Sequence, residues 1–192
     1  DRVALKLGDY VVSESGFGSD MGMEKFLDIV CRAGGLRPSA IVLVATVKAL
    51  KHHGGDPDGA FDALERGAAN LERHLQIVDR FGLKVVVAVN RFPGDRDEEL
   101  EAVRRLALER GAHAAEVNEA FARGGEGAVD LAEAVVDAAS QQNSFEYVYP
   151  LDAPIAEKIE LIATRVYGAD AVHYLPLAEE KLERFSRQGL DR

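Results

Sequence analysis

Cysteine, methionine and tryptophan are nearly absent from this chain, and positive charge is scarce beside negative charge. The one cysteine among 192 residues, Cys31, cannot form a disulfide within the chain, so a reducing, cytoplasmic location is expected. We interpret Cys31 as a small, partly buried helix residue rather than a nucleophile. The formal net charge of −10 leaves few clustered lysines and arginines for phosphate contacts, so nucleic acid is not an expected partner.

Long hydrophobic runs are also missing. No apolar segment approaches the roughly 18 to 20 residues that cross a bilayer, so no membrane partner is expected. Because 47% of the residues are apolar, the chain can bury a proper core. It begins at Asp1 without a methionine or a signal-peptide segment, which we interpret as an excerpt from a longer protein.

Short apolar runs that stop at polar turns are the main feature of the sequence. The run at residues 85–89 ends in the turn 90–95, and it lacks the alternation expected of a half-buried strand. Such a run is typical of a strand covered on both faces. Comparable strands are predicted at residues 10–12, 40–45 and 112–117.

Helical patterns separate these strands, at about 23–33, 59–81, 97–110 and 128–139. The first of them has apolar residues at Phe26, Ile29 and Val30 and ends at Gly34 and Gly35. Alternating strands and helices indicate an α/β fold, a parallel sheet flanked by helices. Residues 1–142 are predicted to be part of a nucleotide-binding α/β domain. Residues 143–192 should form a small strand-plus-helices extension of the same or an adjoining domain, with its edge strand at 145–150.

The loops after the strands are the candidate ligand sites, since ligands of parallel sheets bind beyond the carboxyl ends of the strands. Two of these loops, at 13–22 and 122–127, are rich in glycine, which lets backbone amides approach an anionic ligand. For the turn 90–95, an ordinary Asn-Pro-Gly loop stands as an equal alternative. No metal site is predicted at His52 and His53, because adjacent side chains point apart and no third ligand has suitable spacing.

Taken in order, these segments resemble the formate–tetrahydrofolate ligase family, also called formyltetrahydrofolate synthetases. The similarity runs over essentially the whole chain but covers only the middle of that family's longer sequence. It is carried by DYVVSESGFGSD at 9–20, EKF at 24–26, VATVKALK at 44–51, HGG at 53–55, NLERH at 70–74, NRFP at 90–93, GGEG at 124–127 and YGAD at 167–170.

The resemblance implies a P-loop NTPase-like fold and an ATP-dependent ligase that joins formate to tetrahydrofolate. The implied reaction passes through formyl phosphate, requires Mg²⁺ with ATP, and gives 10-formyltetrahydrofolate. Its implied partners are these small molecules, together with further copies of the chain in a full-length homo-oligomer.

The resemblance also implies site residues. Glu14 falls where a Walker-B-like carboxylate ends its strand, near magnesium or its waters; the alternative is an acid that only satisfies its loop. Gly16, Phe17 and Gly18 would lie beside the phosphates and the formyl group. The turn of Asn90, Arg91, Phe92 and Pro93 would approach adenine or the folate ring, with Phe92 stacking on it. The opposing wall would run through residues 122–127, including Arg123, Gly124 and Gly125.

Some positions depart from the family pattern. Ser13 and Ser15 stand where Thr and Ala are common, Phe121 where Trp is common, and Arg123 where Lys is common. No Gly-x-x-x-x-Gly-Lys-Ser/Thr motif occurs, so the phosphate-binding P-loop is expected upstream of Asp1, and the fold is expected to lack that unit. The isolated chain is therefore expected not to catalyse ligation.

Two other functions remain open at this point. One is a non-catalytic α/β module for nucleotide binding, folate binding or assembly, derived from that enzyme. The other is a flavodoxin-like cofactor protein, which fits less well because no phosphate loop follows the first strand in the required order.

Overall fold

The computed structural model describes residues 1–56 and 61–190. The chain divides into two compact units. The terminal unit comprises Asp1–Leu36 and Glu146–Arg192, and the central unit comprises Arg37–Phe145. The predicted start of a helix near residue 59 lies outside the described residues, and the predicted division after residue 142 stays a prediction.

The central unit is built on a three-stranded parallel sheet of order β1-β2-β3. The strands are β1 (Ala40–Ala45), β2 (Lys84–Asn90) and β3 (Ala114–Asn118). All five residues from 85 to 89 are at most 5% exposed, as expected for a strand covered on both faces. The predicted α/β class with a helix-flanked parallel sheet is therefore confirmed.

Four helices of the central unit enclose this sheet: α1 (Val47–His53), α2 (Asp62–Asp79), α3 (Asp97–Glu109) and α4 (Val129–Ser140). The crossovers β1-to-β2 and β2-to-β3 run in the same direction, so right-handed connections place α2 and α3 on one face. These two helices pack on each other, and α4 contacts all three strands. The central strand β2 is thus covered on both sides, whereas the edge strand β1 leaves Val42 and Val44 40% and 58% exposed.

The apolar face of α2 was correctly predicted. Its side chains pack into the core because apolar residues recur every three or four positions, which keeps them on one side of the helix. The buried residues of this face are Leu64, Ala68, Leu71, Leu75 and Val78.

The terminal unit contains the helical segment 19–34 and the helices α5 (Ile155–Arg165) and α6 (Pro176–Arg187). In the first segment, Ser19–Met23 and Phe26–Cys31 are wound as π-helix, followed by an α-helical turn, Arg32–Gly34. Two of its apolar residues, Ile29 and Val30, are 54% and 39% exposed. The buried apolar side chains are Met23, Leu27 and Cys31, which recur every four residues and so lie on one face of the segment.

Two predicted strands of the terminal unit do not form. Residues 10–12 have no regular structure, and Tyr10 and Val12 are 63% and 88% exposed, because this short run pairs with no strand among the described residues. Residues 145–150 are irregular as well. Val148 is buried, but its N–H donates to the Asp28 carboxylate instead of to a neighbouring strand.

Membrane-spanning helices were searched for in the described part of the chain, and none of its helices combines the length and apolar character needed to cross a bilayer.

Candidate functional site

The carboxyl ends of β2 and β3 meet through two asparagines. In the parallel register, Val89 lies beside Val117 and Asn90 beside Asn118. The Asn118 Nδ2 donates to Asn90 Oδ1 at 2.8 Å, and Asn118 Oδ1 accepts from the N–H of Ala120 at 3.1 Å. The predicted loops that follow Val89 and Val117 therefore start side by side at one edge of the sheet.

Glu119 joins these two loops by ion pairs. Its Oε1 lies 3.2 Å from Arg91 Nε, and its Oε2 lies 2.8 Å from Arg123 Nη1. Arg91 also hydrogen-bonds to the Asp97 carboxylate, which raises the pKa of the guanidinium. Arg91 and Arg123, both predicted as ligand-binding residues, thus lie on opposite sides of one carboxylate.

The turn after Arg91 is stabilised by the Asp95 carboxylate, which belongs to the turn itself. The Asp95 carboxylate accepts from the N–H of Phe92 at 2.8 Å, and the N–H of Asp95 donates to the Phe92 carbonyl at 3.1 Å. Gly94 has φ of 96°, a conformation that strongly favours glycine. This arrangement holds the Phe92 ring 53% exposed, with Pro93 also exposed. The turn can therefore offer an aromatic face to a ligand.

The glycine-rich loop after β3 has one tight contact and one open position. The N–H of Glu119 donates to the Gly127 carbonyl at 2.9 Å, and a Cβ at Gly127 would lie 2.6 Å from the Glu119 carbonyl. Gly124 has φ of 62° and ψ of −148°, a conformation that residues other than glycine rarely adopt. A Cβ at Gly125 would meet nothing within 4 Å. Gly125 thus leaves open space beside the loop.

An open cleft of about 640 Å³ lies between α1 and the turn 90–95. Its lining residues come from two elements: Lys48, His52 and His53 from α1, and Phe92, Pro93 and Asp95 from the turn. This volume falls within the range of small-molecule sites. A second, smaller cavity of about 160 Å³ lies next to the Arg123 side chain and is lined mainly by charged groups.

A buried carboxylate connects α1 with the residue that directly follows the turn. Glu99, in the first turn of α3, is 3% exposed, and its Oε1 lies 2.7 Å from Lys51 Nζ on α1 and 2.8 Å from Arg96 Nη2. The hydrogen bond from Arg96, with that from Lys51, lowers the pKa of Glu99 to about 2 against the cost of burial. Helix α1 is thereby tied to the residues that follow the turn.

The Glu14 to Gly18 loop belongs to the terminal unit. Glu14, Gly16 and Gly18 are exposed. Phe17 is 89% exposed and has φ of 64°, an uncommon conformation for a bulky residue. A Cβ at Gly22 would lie 1.4 Å from the Gly16 carbonyl oxygen, so only glycine permits the loop to fold back on its helix.

Acidic residues behind this loop form a hydrogen-bonded cluster. The fully buried Asp28 carboxylate accepts from Val148 N at 3.0 Å and from Arg32 Nη2 at 3.1 Å. Arg32 also donates to the Tyr149 carbonyl at 2.7 Å. Burial and the neighbouring Asp28 charge raise the pKa of Glu24 to about 7. Burial raises the pKa of Asp28 as well, against the donors that face it.

The structure brings together the predicted residues Asn90, Arg91, Phe92 and Pro93 with Arg123 and its loop, at one edge of the central unit. Glu14, Gly16, Phe17 and Gly18 form a separate loop of the terminal unit. Asn118 and Glu119 were not among the predicted site residues, although their position at the carboxyl end of a strand, like that of Asn90 and Arg91, was the available signal. In residues 1–56 and 61–190, no three histidine, cysteine, aspartate or glutamate side chains are grouped to hold a metal ion.

Comparison with known proteins gives the family. The model of the formate–tetrahydrofolate ligase family matches residues 1–192. The chain belongs to this family. It is 49% identical to the formate–tetrahydrofolate ligase of Desulforamulus reducens, over 99% of the chain and 36% of the relative. Identity is 48% with that of Haloquadratum walsbyi and 47% with that of Dehalococcoides mccartyi, over 35% and 34% of their lengths. The chain thus spans about a third of these relatives.

Proposed function

We propose that this chain is a segment of an ATP-dependent ligase that joins formate to tetrahydrofolate through formyl phosphate, giving 10-formyltetrahydrofolate. Family membership supports the reaction. The observation that carries the location of the site is the Asn118-to-Asn90 hydrogen bond of 2.8 Å, with Glu119 between Arg91 and Arg123. These contacts bring two loops to the carboxyl edge of a parallel sheet, where ligands of such sheets bind.

Each residue has a proposed role. Asn90, Arg91, Phe92 and Pro93 form one wall of a pocket for adenine or the folate ring. Arg123, Gly124 and Gly125 form the opposing wall, in keeping with the open space beside Gly125.

In the terminal unit, Glu14 lies near the Mg²⁺ that accompanies ATP, and Gly16, Phe17 and Gly18 lie beside the phosphates and the formyl group. Attack of formate on the γ-phosphoryl group requires alignment and charge stabilisation more than proton transfer, and loop amides suit this task.

Calorimetric titration of the purified chain with ATP–Mg²⁺, and separately with tetrahydrofolate, tests the pocket. We expect binding of at least one ligand that is lost in Asn90→Ala and in Gly125→Val. Asn143→Ala is the matched control, because Asn143 donates to the Ser39 carbonyl at 3.2 Å, next to the opposite end of β1. Equal losses in Asn90→Ala and Asn143→Ala would contradict the assignment of the pocket to the carboxyl edge.

A turnover assay with ATP, formate and tetrahydrofolate tests the second part of the proposal. We expect no ligation by the chain alone, because its sequence holds no P-loop lysine to neutralise the transferring phosphoryl group. Clear turnover would overturn this account. Absence of both turnover and ligand binding would favour the second candidate, a non-catalytic assembly module. We further propose a P-loop NTPase-like relationship, a cytoplasmic location and a homo-oligomeric full-length enzyme.

A further inference from the structure

The buried carboxylate of Asp28, in the terminal unit, has one oxygen that receives donors and one that does not. Its Oδ1 accepts from the Val148 N–H at 3.0 Å and from Arg32 Nη2 at 3.1 Å. The side chain is fully buried, yet no N–H or hydroxyl group in residues 1–56 and 61–190 donates to Oδ2. A buried carboxylate oxygen without a donor is costly, so a further donor is expected at this position.

Glu24 can supply that donor when it is protonated. It stands four residues before Asp28, and the two carboxyl groups are hydrogen-bonded to each other. Such a bond requires a proton on one of them, because an ionised carboxylate has only acceptors. Asp28 already accepts from Arg32 and from a backbone N–H, which favours its ionised form. The proton therefore belongs to Glu24.

The groups around this pair determine how it responds to pH. Asp28 faces Glu24 from the same helical segment, and Tyr149 and Tyr167 face it from the chain before and after α5. Burial, with the neighbouring carboxyl charges, raises the pKa of both tyrosines, so they stay neutral while Glu24 titrates. Arg32 is the cation beside Asp28, and it also donates to the Tyr149 carbonyl at 2.7 Å. Loss of the Glu24 proton thus sets two negative charges side by side.

The same pair lies under the chain that precedes α5. Asp28 accepts the Val148 N–H, and Arg32 donates to the Tyr149 carbonyl. From the other side, Arg165 of α5 donates to the Val148 carbonyl at 2.8 Å. These residues form no strand, so side-chain contacts take the place of a sheet ladder in holding them. Their attachment to the helical segment 19–34 depends on Asp28.

We propose that Glu24 and Asp28 hold one proton between them, and that this proton is a pH-sensitive switch that holds residues 147–149 against the helical segment 19–34. With the proton present, the Glu24 O–H donates to Asp28 Oδ2. Without it, the two carboxylates repel each other and the bond from the Val148 N–H to Asp28 loosens. The pKa of Glu24, raised to about 7, places the transition near neutral pH. The inference invokes no ligand, so it is tested separately from the proposed function.

Infrared difference spectroscopy detects the proton itself. A protonated carboxyl group has a C=O stretching band that an ionised carboxylate lacks. We expect the natural chain to lose such a band between about pH 6 and about pH 8, and Glu24→Gln to show no loss in that range. Glu183→Gln, on the exposed surface of α6, is the control and should titrate as the natural chain does. No band in the natural chain, or an equal loss in Glu24→Gln, would overturn the proposal.

Hydrogen exchange of the Val148 amide measures the attachment of residues 147–149. Comparison of the natural chain with Glu24→Gln at one pH cancels the intrinsic effect of pH on exchange. The two chains should agree at about pH 5, and the natural chain should exchange about three- to tenfold faster at about pH 8. The Ala169 amide, which donates to the Ala163 carbonyl at 2.9 Å in the same unit, is the internal reference and should change less. Equal rates of Val148 in the two chains at pH 8, or an equal increase at Ala169, would overturn the proposal.

Glu24→Ala separates loss of the donor from loss of the charge. Glutamine at position 24 can still donate an N–H to Asp28 Oδ2, whereas alanine cannot. In Glu24→Ala we therefore expect the Val148 amide to exchange faster than in Glu24→Gln, by a factor that is the same at about pH 5 and about pH 8. If alanine protects Val148 as well as glutamine does, no donor to Asp28 is needed and the proposal is wrong.

Discussion

Asn118 donates its side-chain amide to Asn90 across 2.8 Å, at the point where two parallel strands end together. A double-mutant cycle of Asn90→Ala and Asn118→Ala should therefore give a coupling energy of about 0.5–1.5 kcal/mol, the usual net value of one such bond. Urea unfolding followed by circular dichroism measures it. The cycle of Asn90→Ala with Asn143→Ala is the control, and coupling of similar size there would refute a specific contact.

Glu99 is expected to be among the most costly carboxylates to replace. Glu99→Gln leaves the Lys51 ammonium, whose side chain is 13% exposed, without its counter-charge, and should cost about 2–3 kcal/mol at pH 7. Glu101→Gln on the same helix is the control; that glutamate is 68% exposed beside Arg104 and should cost less than about 0.5 kcal/mol.

The cost of Glu99→Gln should also depend on pH in one direction. The pKa of Glu99 is lowered to about 2 in the folded chain, against an ordinary value of 4.5. Its contribution is therefore fully present above pH 4.5 and is lost as pH falls towards 2. The stability difference between the natural chain and Glu99→Gln, measured by urea unfolding, should shrink over that window, and a constant difference would contradict the assignment.

The central strand could be predicted because its own apolar residues indicate that both of its faces are buried. An unbroken apolar run such as 85–89 is stable only where both faces are covered, and the sequence carries that requirement locally. Residues 10–12, Tyr-Val-Val, are also apolar but pair with no strand in the described chain, and composition alone cannot supply a neighbouring strand. The π-helical winding of Ser19–Met23 and Phe26–Cys31 was likewise not predicted, because the apolar pattern of the sequence indicates a helix without fixing which carbonyl each N–H contacts.

The candidate site was predictable only in part for a related reason. Asn90 to Pro93 follow a clear strand, so their place at the carboxyl edge could be derived from the sequence. The role of Glu119 depends on the β2–β3 register, which sets Asn118 beside Asn90 and so brings Arg91 within 3.2 Å of the carboxylate. The pairing of Lys51 with Glu99 likewise depends on how α1 packs against α3, which no local pattern reports.

Glu24 should make the terminal unit less stable as pH rises. Its pKa in the folded chain is about 7, against an ordinary value of 4.5, so the folded state binds the proton more tightly. The stability this gives is fully present below pH 4.5 and is lost between 4.5 and 7. Because the side chain is partly exposed, the change should be about 1–2 kcal/mol, less than the full shift implies.

Glu24→Gln isolates this effect. The variant should match the natural chain near pH 4.5 and be more stable at pH 8, because glutamine cannot ionise beside Asp28. Tyrosine fluorescence is the readout, since all five tyrosines (10, 147, 149, 167 and 174) belong to the terminal unit. Glu183→Gln, on the exposed surface of α6, is the control. If the stability difference between the natural chain and Glu24→Gln is the same at pH 8 as at pH 4.5, Glu24 is excluded as the titrating group.

Gly127 and Gly125 should respond very differently to the same substitution. An alanine Cβ at Gly127 would lie 2.6 Å from the Glu119 carbonyl, so the backbone that orients Glu119 must shift, at about 1–3 kcal/mol. At Gly125 the Cβ meets nothing within 4 Å, so the cost should be under about 0.5 kcal/mol. Urea unfolding measures both costs. The Asn90 and Asn118 side-chain amide signals should move in Gly127→Ala only, and equal costs at the two positions would disprove the close approach of this loop to β3.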